Sequence, residues 1–453
     1  MLSGSRDRDS WSYREEASSN STSGIDISTI AQQSAGKLVQ GLQQASTSPF
    51  LSGVTSPRSS RNSGRVAIPA DLSFALPYRE AFPITREEAR LVHYYKQHLG
   101  RWLDGVCPAR QFTIRIPTEV KHCPILLQAT ICFAAHHSND KVTASLAYQR
   151  CITLLIERLS LQSATHDEKT LCAIVILRFY EQLTVPSKSG SDREQHLAGS
   201  AAILRASQID CIDPTVPTLR EASFWVYVRQ CLYNATIDQQ PPNINFSLRI
   251  EPDPTSLHES HPLDHLRLET AWANQITWHC ACVTNFCFDE TPDRHQRMAK
   301  WEAMWQDVQS WHNKRPLTFD PIWSGHDPNQ SVFPTIYFAA EWHLISFGYY
   351  HICCMLLLAF KPGPRFVIRN VRANPSELKI LEHAYALCGS CKCAPDVVAA
   401  LITLCHTVFV WAPLFTDPRA RAELIEILSD FEKKERWPTA WIVDAVKREW
   451  GTG

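Results

Sequence analysis

The sequence predicts an all-α protein, a large bundle-like array of helices behind an N-terminal leader. From Pro83 onward, apolar residues recur at three- and four-residue steps through nearly the whole chain, which is the period of a helix with one buried face. Strand-like alternation is confined to residues 112–116 and 366–371, and no hairpin turn pairs either stretch. A length of 453 residues with 44% hydrophobic content supplies enough apolar surface for a sizeable core.

Residues 1–66 are rich in Ser, Thr, Gln and Gly with scattered charge, and so few apolar groups cannot offset the entropy of ordering. A disordered, Ser-rich leader is expected there, with the helical body over 67–453. Arg58, Arg61 and Arg65 stand among serines, a pattern that fits a solvated linker or a loose nuclear-import or phosphorylation-sensitive element. The first residues have neither the apolar core of a secretory signal nor the acid-poor amphipathic pattern of a mitochondrial presequence.

The first helix is signalled by Thr85 and Glu88 in capping-box spacing, followed by the stripe Leu91, Val92, Tyr95, Leu99, Trp102 and Leu103. Next comes a segment opening Cys123-Pro124-Ile125-Leu126-Leu127, apolar nearly all round and therefore central, with Pro in the first turn where its missing N–H costs nothing. Amphipathic helices are expected over 145–159 and 169–183, the second with Asp167 and Glu168 at its positive end. Others fit 194–206, 217–235, 268–286 and 294–313. Between them the Pro- and His-bearing stretch 239–263 reads as a long loop and a possible subdomain break.

On the 294–313 helix, Met298, Trp301, Met304, Trp305, Val308 and Trp311 share one face, the spacing of packing residues rather than of a cofactor box. The C-terminal third continues with helices over 334–360, 376–387, 394–411, 418–431 and 439–450. Its two most apolar runs, 345–360 and 397–415, are short or interrupted by His406 and Pro413, and neither has a clear basic flank on one side. Buried core helices are expected there instead of membrane spans.

Formal charge is −1, from 45 Lys+Arg against 46 Asp+Glu, so nothing in the balance draws the whole chain to nucleic acid or an anionic membrane, and any DNA-binding patch has to be local. The 16 cysteines, scattered through apolar runs with Cys353 and Cys354 adjacent, suit buried thiols in a reducing, intracellular compartment better than a disulfide framework. Cys388, Cys391 and Cys393 form a C-x-x-C-x-C cluster, with Cys405 and His406 a short helix away. That spacing matches no common zinc module and reads as core and turn cysteines. His136 and His137 stand at a helix end, where the last carbonyls account for them, and His258, His261 and His265 read as loop histidines. No metal ligand follows from these. The sequence holds no G-x-S-x-G, H-E-x-x-H, G-x-x-x-x-G-K-[ST] or G-x-G-x-x-G motif, and its 16 glycines leave it poor in phosphate-binding turns. No catalytic or cofactor-binding residue and no cofactor are assigned.

Tyr94-Tyr95-Lys96-Gln97-His98-Leu99-Gly100-Arg101-Trp102-Leu103-Asp104 resembles the start of the regulatory domain of fungal binuclear zinc cluster transcription factors. Later stretches are similar to that family in the same order. They are Cys123-Pro124-Ile125-Leu126-Leu127 with Ala134-Ala135-His136-His137, then Tyr148-Gln149-Arg150-Cys151 with Leu154-Leu155, and then Ala173 to Glu181. His196-Leu197-Ala198-Gly199 follows, and Phe224-Trp225-Val226-Tyr227-Val228-Arg229-Gln230 with Tyr233 and Gln239-Gln240-Pro241 completes the series. The likeness is clear from Pro83 to Pro242 and more diffuse beyond.

The resemblance implies a nuclear transcription regulator, controlling a metabolic or secondary-metabolite gene cluster. Its helical region would contact other regulators or coactivators and answer to a small-molecule effector. Read physically, Trp102, Tyr180, Trp225 and Tyr233 are large anchors, and Arg178, Glu181, Arg229 and Gln230 can satisfy one another or helix ends. The family's DNA-binding module needs six cysteines holding two zinc ions, and no cysteine precedes Cys107. DNA contact is therefore expected only indirectly or through a zinc cluster missing from this sequence. The alternative function is a helical enzyme with a large apolar pocket between the Trp-rich helix and the 345–360 helix.

Overall fold

A computed structural model describes residues 81–159, 168–184, 211–216, 218–257, 261–289, 294–362 and 375–451. The expected leader with Arg58, Arg61 and Arg65, the 194–206 helix, the motif His196-Leu197-Ala198-Gly199, His258 and the 366–371 stretch lie outside the described residues.

The fold is all-α. Thr85 caps the first helix as its spacing predicts: its hydroxyl accepts from the Glu88 N–H at 3.2 Å, and the Glu88 carboxylate accepts from the Thr85 N–H at 2.8 Å. This helix, α1 (Arg86–Tyr94), runs into a π-helical turn (Tyr95–Leu99) and then α2 (Gly100–Asp104). The wider turn keeps the entire apolar stripe from Leu91 to Leu103 on the core side, and all six of its residues are buried.

Residues 112–116, which alternate like a strand, are instead a second π-helical turn (Gln111–Arg115) leading into α3 (Ile116–Glu119). Only Phe112 and Ile116 of that stretch are buried, one helical turn apart. Asp104 enforces the shape, because its carboxylate accepts the backbone N–H groups of Phe112 at 2.7 Å and Thr113 at 3.0 Å, leaving no strand partner for either.

The central helix α4 (Pro124–His137) is buried along nearly its whole length and packs on α1, α5 (Lys141–Leu159) and α6 (Glu168–Thr184). Helix α7 (Leu219–Asp238) starts at the Thr218 cap and stops where Gln239 turns left-handed. It lies between α6 and α8 (Pro262–Phe288), followed by α9 (Arg294–Lys314), α10 (Glu341–Ala359), α11 (Pro375–Lys392) and α12 (Val398–His406). The end of the chain forms α13 (Val408–Trp411), α14 (Pro418–Glu435) and α15 (Ala440–Glu449).

Two small sheets escape the sequence reading: β1 (Cys211–Ile212) parallel to β2 (Arg249–Ile250), and β3 (Trp323–Gly325) antiparallel to β4 (Thr335–Tyr337). The last takes the place of the first turn expected for the 334–360 helix. Strands of two or three residues are too short for a period of two to register against the helical pattern around them.

Core residues on both sides of 239–263 belong to one contiguous cluster reaching from Leu91 to Val446. Among the described residues α10 is long and apolar enough to cross a membrane, and 78% of that window is buried against the rest of the protein. The apolar run 397–415 is broken into α12, α13 and a 3-10 turn (Ala412–Leu414).

Candidate functional site

Residues singled out by their chemistry converge where the N-terminal helices meet the C-terminal ones. Trp102 from α2, Gln182 from α6, Arg229 and Gln230 from α7 and His406 from α12 line a cavity of about 30 Å³, closed from a further side by Trp437 in the loop between α14 and α15. Trp437 sits edge-on to Trp102, Phe179 and Tyr233, with ring centroids 6.4, 6.1 and 5.5 Å away. The His406 ring lies edge-on to Tyr233 at 5.5 Å and to Tyr349 at 5.9 Å.

The charged residues here meet helix ends and one another, as their chemistry allows. Arg178 pairs with Glu181 at 3.5 Å, and the Gln230 amide donates to the Val175 carbonyl at 2.9 Å. Arg229 donates to the Leu103 carbonyl at the end of α2. Burial lowers the Arg229 pKa, yet a guanidinium keeps its charge in a protein. No carboxylate lies within ion-pairing distance of Arg229 among the described residues; the nearby Asp104, whose oxygens accept from Phe112 and Thr113, acts on it only through space. A second cavity of about 10 Å³, bordered by Asp104, Trp225 and Asn274, opens on another side of Arg229.

Burial dominates the titrations. It pushes His406 down to about 3, so this imidazole is neutral at physiological pH. It also raises Asp104 to about 6, against the lowering effect of the Thr113 and Phe112 hydrogen bonds.

Four wall residues carry a buried polar atom with no hydrogen-bond partner: Trp102 Nε1, Gln230 Oε1, His406 Nδ1 and Trp437 Nε1. Trp225 Nε1 and Asn274 Oδ1 do the same at the smaller cavity. Such atoms are costly in a core, and their clustering at one place needs an explanation.

Trp102, Trp225, Arg229, Gln230 and Tyr233 are thus brought to this junction, with Arg178 beside it. Tyr180 and Glu181 face the neighbouring region, where Tyr180 packs on His136 and Tyr148, and Tyr148 donates to Glu181 at 3.3 Å. The sequence gives no signal for Trp437, a lone aromatic before a proline, and it pairs His406 only with Cys405. Nothing local to either residue shows that α7 and α2 will pack against it.

Other candidates resolve differently. Cys388 and Cys391 lie on α11 and Cys393 in the turn after it, and each is absorbed by packing or backbone contacts. The Cys391 and Cys405 thiols donate to the Ala400 and Leu401 carbonyls at 3.4 and 3.3 Å, while Cys393 Sγ accepts from the Ile336 N–H at 3.4 Å. Among the described residues no group of three or more His, Cys, Asp or Glu is placed to hold a metal.

His265 is on α8 and not in the loop, with Nε2 at 3.1 Å from Glu269; His343 on α10 approaches the same oxygen at 3.2 Å. Burial would raise the Glu269 carboxyl, but hydrogen bonds from His343, Thr318 and Trp342 outweigh it and hold the group at about 2. His137 does not serve the negative end of α4 as a cation. Its Nδ1 meets the Tyr94 hydroxyl at 2.9 Å, and burial, helped by Arg436, pushes it down to about 4.

The Trp-rich face of α9 is packing: Trp301 donates to the Leu357 carbonyl at 2.7 Å, Trp301 and Trp305 stack, and Trp311 stacks on Tyr350. The cavity between α9 and α10 measures about 10 Å³. No family model, no curated protein and no solved structure matches the chain.

Proposed function

We propose that residues 67–453 form the helical regulatory region of a nuclear transcription regulator of the fungal zinc cluster kind, governing a metabolic or secondary-metabolite gene cluster. It contacts other regulators or coactivators and reaches DNA indirectly or through a zinc cluster outside this sequence. The observation that carries this reading is the meeting of three family-like stretches, through Trp102, Phe179 and Arg229 to Tyr233, at one buried polar junction. That junction also takes walls from α10 and α12, so both parts of the helical array bear on it. Packed cores shift between discrete arrangements instead of deforming smoothly, and a junction of this kind transmits a local change to the surfaces that partners touch.

The test fuses residues 67–453 to an unrelated DNA-binding module and reads a reporter gene in a fungal host. Reporter output that differs from that of the DNA-binding module alone, in at least one of several growth media, is expected. Output indistinguishable from the module alone in every medium overturns the reading.

A further inference from the structure

The orphaned polar atoms around Arg229 are of a particular kind. Indole nitrogens only donate, so Trp102 Nε1 and Trp437 Nε1 each require an acceptor. Arg229 has five N–H groups and meets a backbone carbonyl, with no carboxylate within ion-pairing distance among the described residues. Among the orphaned atoms of the cavity's wall residues, only Gln230 Oε1 can do nothing but accept. Trp102, Gln230, His406 and Trp437 are all more than nine-tenths buried, so bulk water does not satisfy them. Side chains alone do not complete this arrangement.

We propose that the cavity bounded by Trp102, Arg229, Gln230, His406 and Trp437 is a binding site for a small carboxylate of the size of formate, held by the Arg229 guanidinium and the two indole N–H groups. Size selects the class. A buried water needs roughly 10–15 Å³ measured this way, so about 30 Å³ accommodates two oxygens, and a carboxylate is a pair of acceptor oxygens on one carbon. The anion supplies the acceptors that both indoles lack and gives Arg229 a directly bonded charged partner, where Asp104 acts on it only through space. Longer acids do not fit unless the walls part. Because the walls come from α2, α6, α7, α10 and α12, the bound anion ties both parts of the helical array together. Binding at this site does not depend on the transcription reading, since it is measured on the purified chain.

The test is titration calorimetry and thermal unfolding of the full chain with sodium formate, acetate, butyrate and nitrate at constant ionic strength. Formate is expected to bind saturably and to raise the unfolding midpoint by about 2–3 °C at ten times its Kd. Acetate should bind more weakly and butyrate not at all. Trp437→Phe, which keeps the ring and removes the donor, should weaken formate binding about tenfold. Arg229→Met should weaken it by roughly 10- to 100-fold, and Trp102→Phe serves as a second donor deletion if Arg229→Met does not fold. Nitrate binding as tightly as formate would overturn the carboxylate assignment in favour of planar oxyanions in general. No saturable binding of any of these anions to the wild-type chain, or formate affinity unchanged in both indole variants, would overturn the site itself.

Discussion

Asp104 illustrates how one side chain sets local structure and pays an electrostatic cost for it. Its carboxylate folds residues 105–113 back on α2 by accepting two backbone N–H groups and the Thr113 hydroxyl. Burial raises its pKa from an ordinary 3.8 to about 6 despite those bonds. Because the folded value exceeds the unfolded one, the native state holds the proton more tightly. That contribution to stability is complete below about pH 4 and is lost as pH rises through about 6, on the order of 3 kcal/mol in all. Asp104→Asn does not titrate and leaves one acceptor oxygen for the two N–H groups of Phe112 and Thr113, setting an NH2 donor against the other, which should cost about 1–3 kcal/mol at neutral pH. Urea unfolding of both proteins at several pH values should show the wild-type advantage shrinking between about pH 4 and pH 7. An advantage that stays constant or grows over that range contradicts the assignment. The surroundings of Asp104 were invisible in the sequence, where it appears only as the end of the family-like stretch that begins at Tyr94. Its partners eight and nine positions on lie in a stretch that mimics a strand.

Helices in this protein were legible wherever their apolar residues kept one period over several turns. Helices α4, α6, α9 and α15 begin and end within about two residues of the positions the pattern indicates, which is the ordinary uncertainty of helix ends, whereas α1 starts where its capping box says but gives way to a π-helical turn after Tyr94, well before its stripe ends at Leu103. Less legible were the places where a neighbour decides the backbone. The π-helical turns at Tyr95–Leu99 and Gln111–Arg115 rotate the buried face by a fraction of a turn, which a three-to-four spacing tolerates without a trace. Helix α8 starts earlier than its apolar stripe because Asp264 and His265 extend it as a polar first turn. Close packing between elements gives a sharper test. At Gly389 on α11 an added Cβ would overlap the Pro334 carbonyl oxygen next to β4, whereas at Gly348 on α10 it would meet only the side chains of Thr403 and Leu387. Backbone does not yield as a side chain does, so Gly389→Ala should destabilise by at least about 2 kcal/mol. Gly348→Ala should be nearly neutral, because helix propensity returns about 1 kcal/mol. Equal unfolding midpoints for the two variants would show that β4 does not press on α11.

For the whole molecule the cysteines report the packing. All 16 are free thiols, Cys211 is exposed, Cys107, Cys282 and Cys393 are part-buried, and the rest are buried. An aromatic disulfide reagent added to the native chain should therefore react rapidly with about one thiol, and Cys211→Ser should remove that phase. Reaction of many thiols at the same fast rate would contradict the continuous core. The scattering of cysteines through apolar runs already pointed to buried thiols, and the structure adds which one the solvent reaches.

By itself the sequence determined the fold class, the faces of most helices and the fate of the cysteines, because each depends on local periodicity and on the apolar character of a short segment. Only the tertiary structure decided that Trp102, Arg229, His406 and Trp437 share one cavity and that its two indole N–H groups lack acceptors. Those residues are separated by up to several hundred positions, and hydrogen-bond satisfaction is a property of the atoms that finally surround a group. Helical periodicity places each residue on a face, but it does not say which other face will close over it.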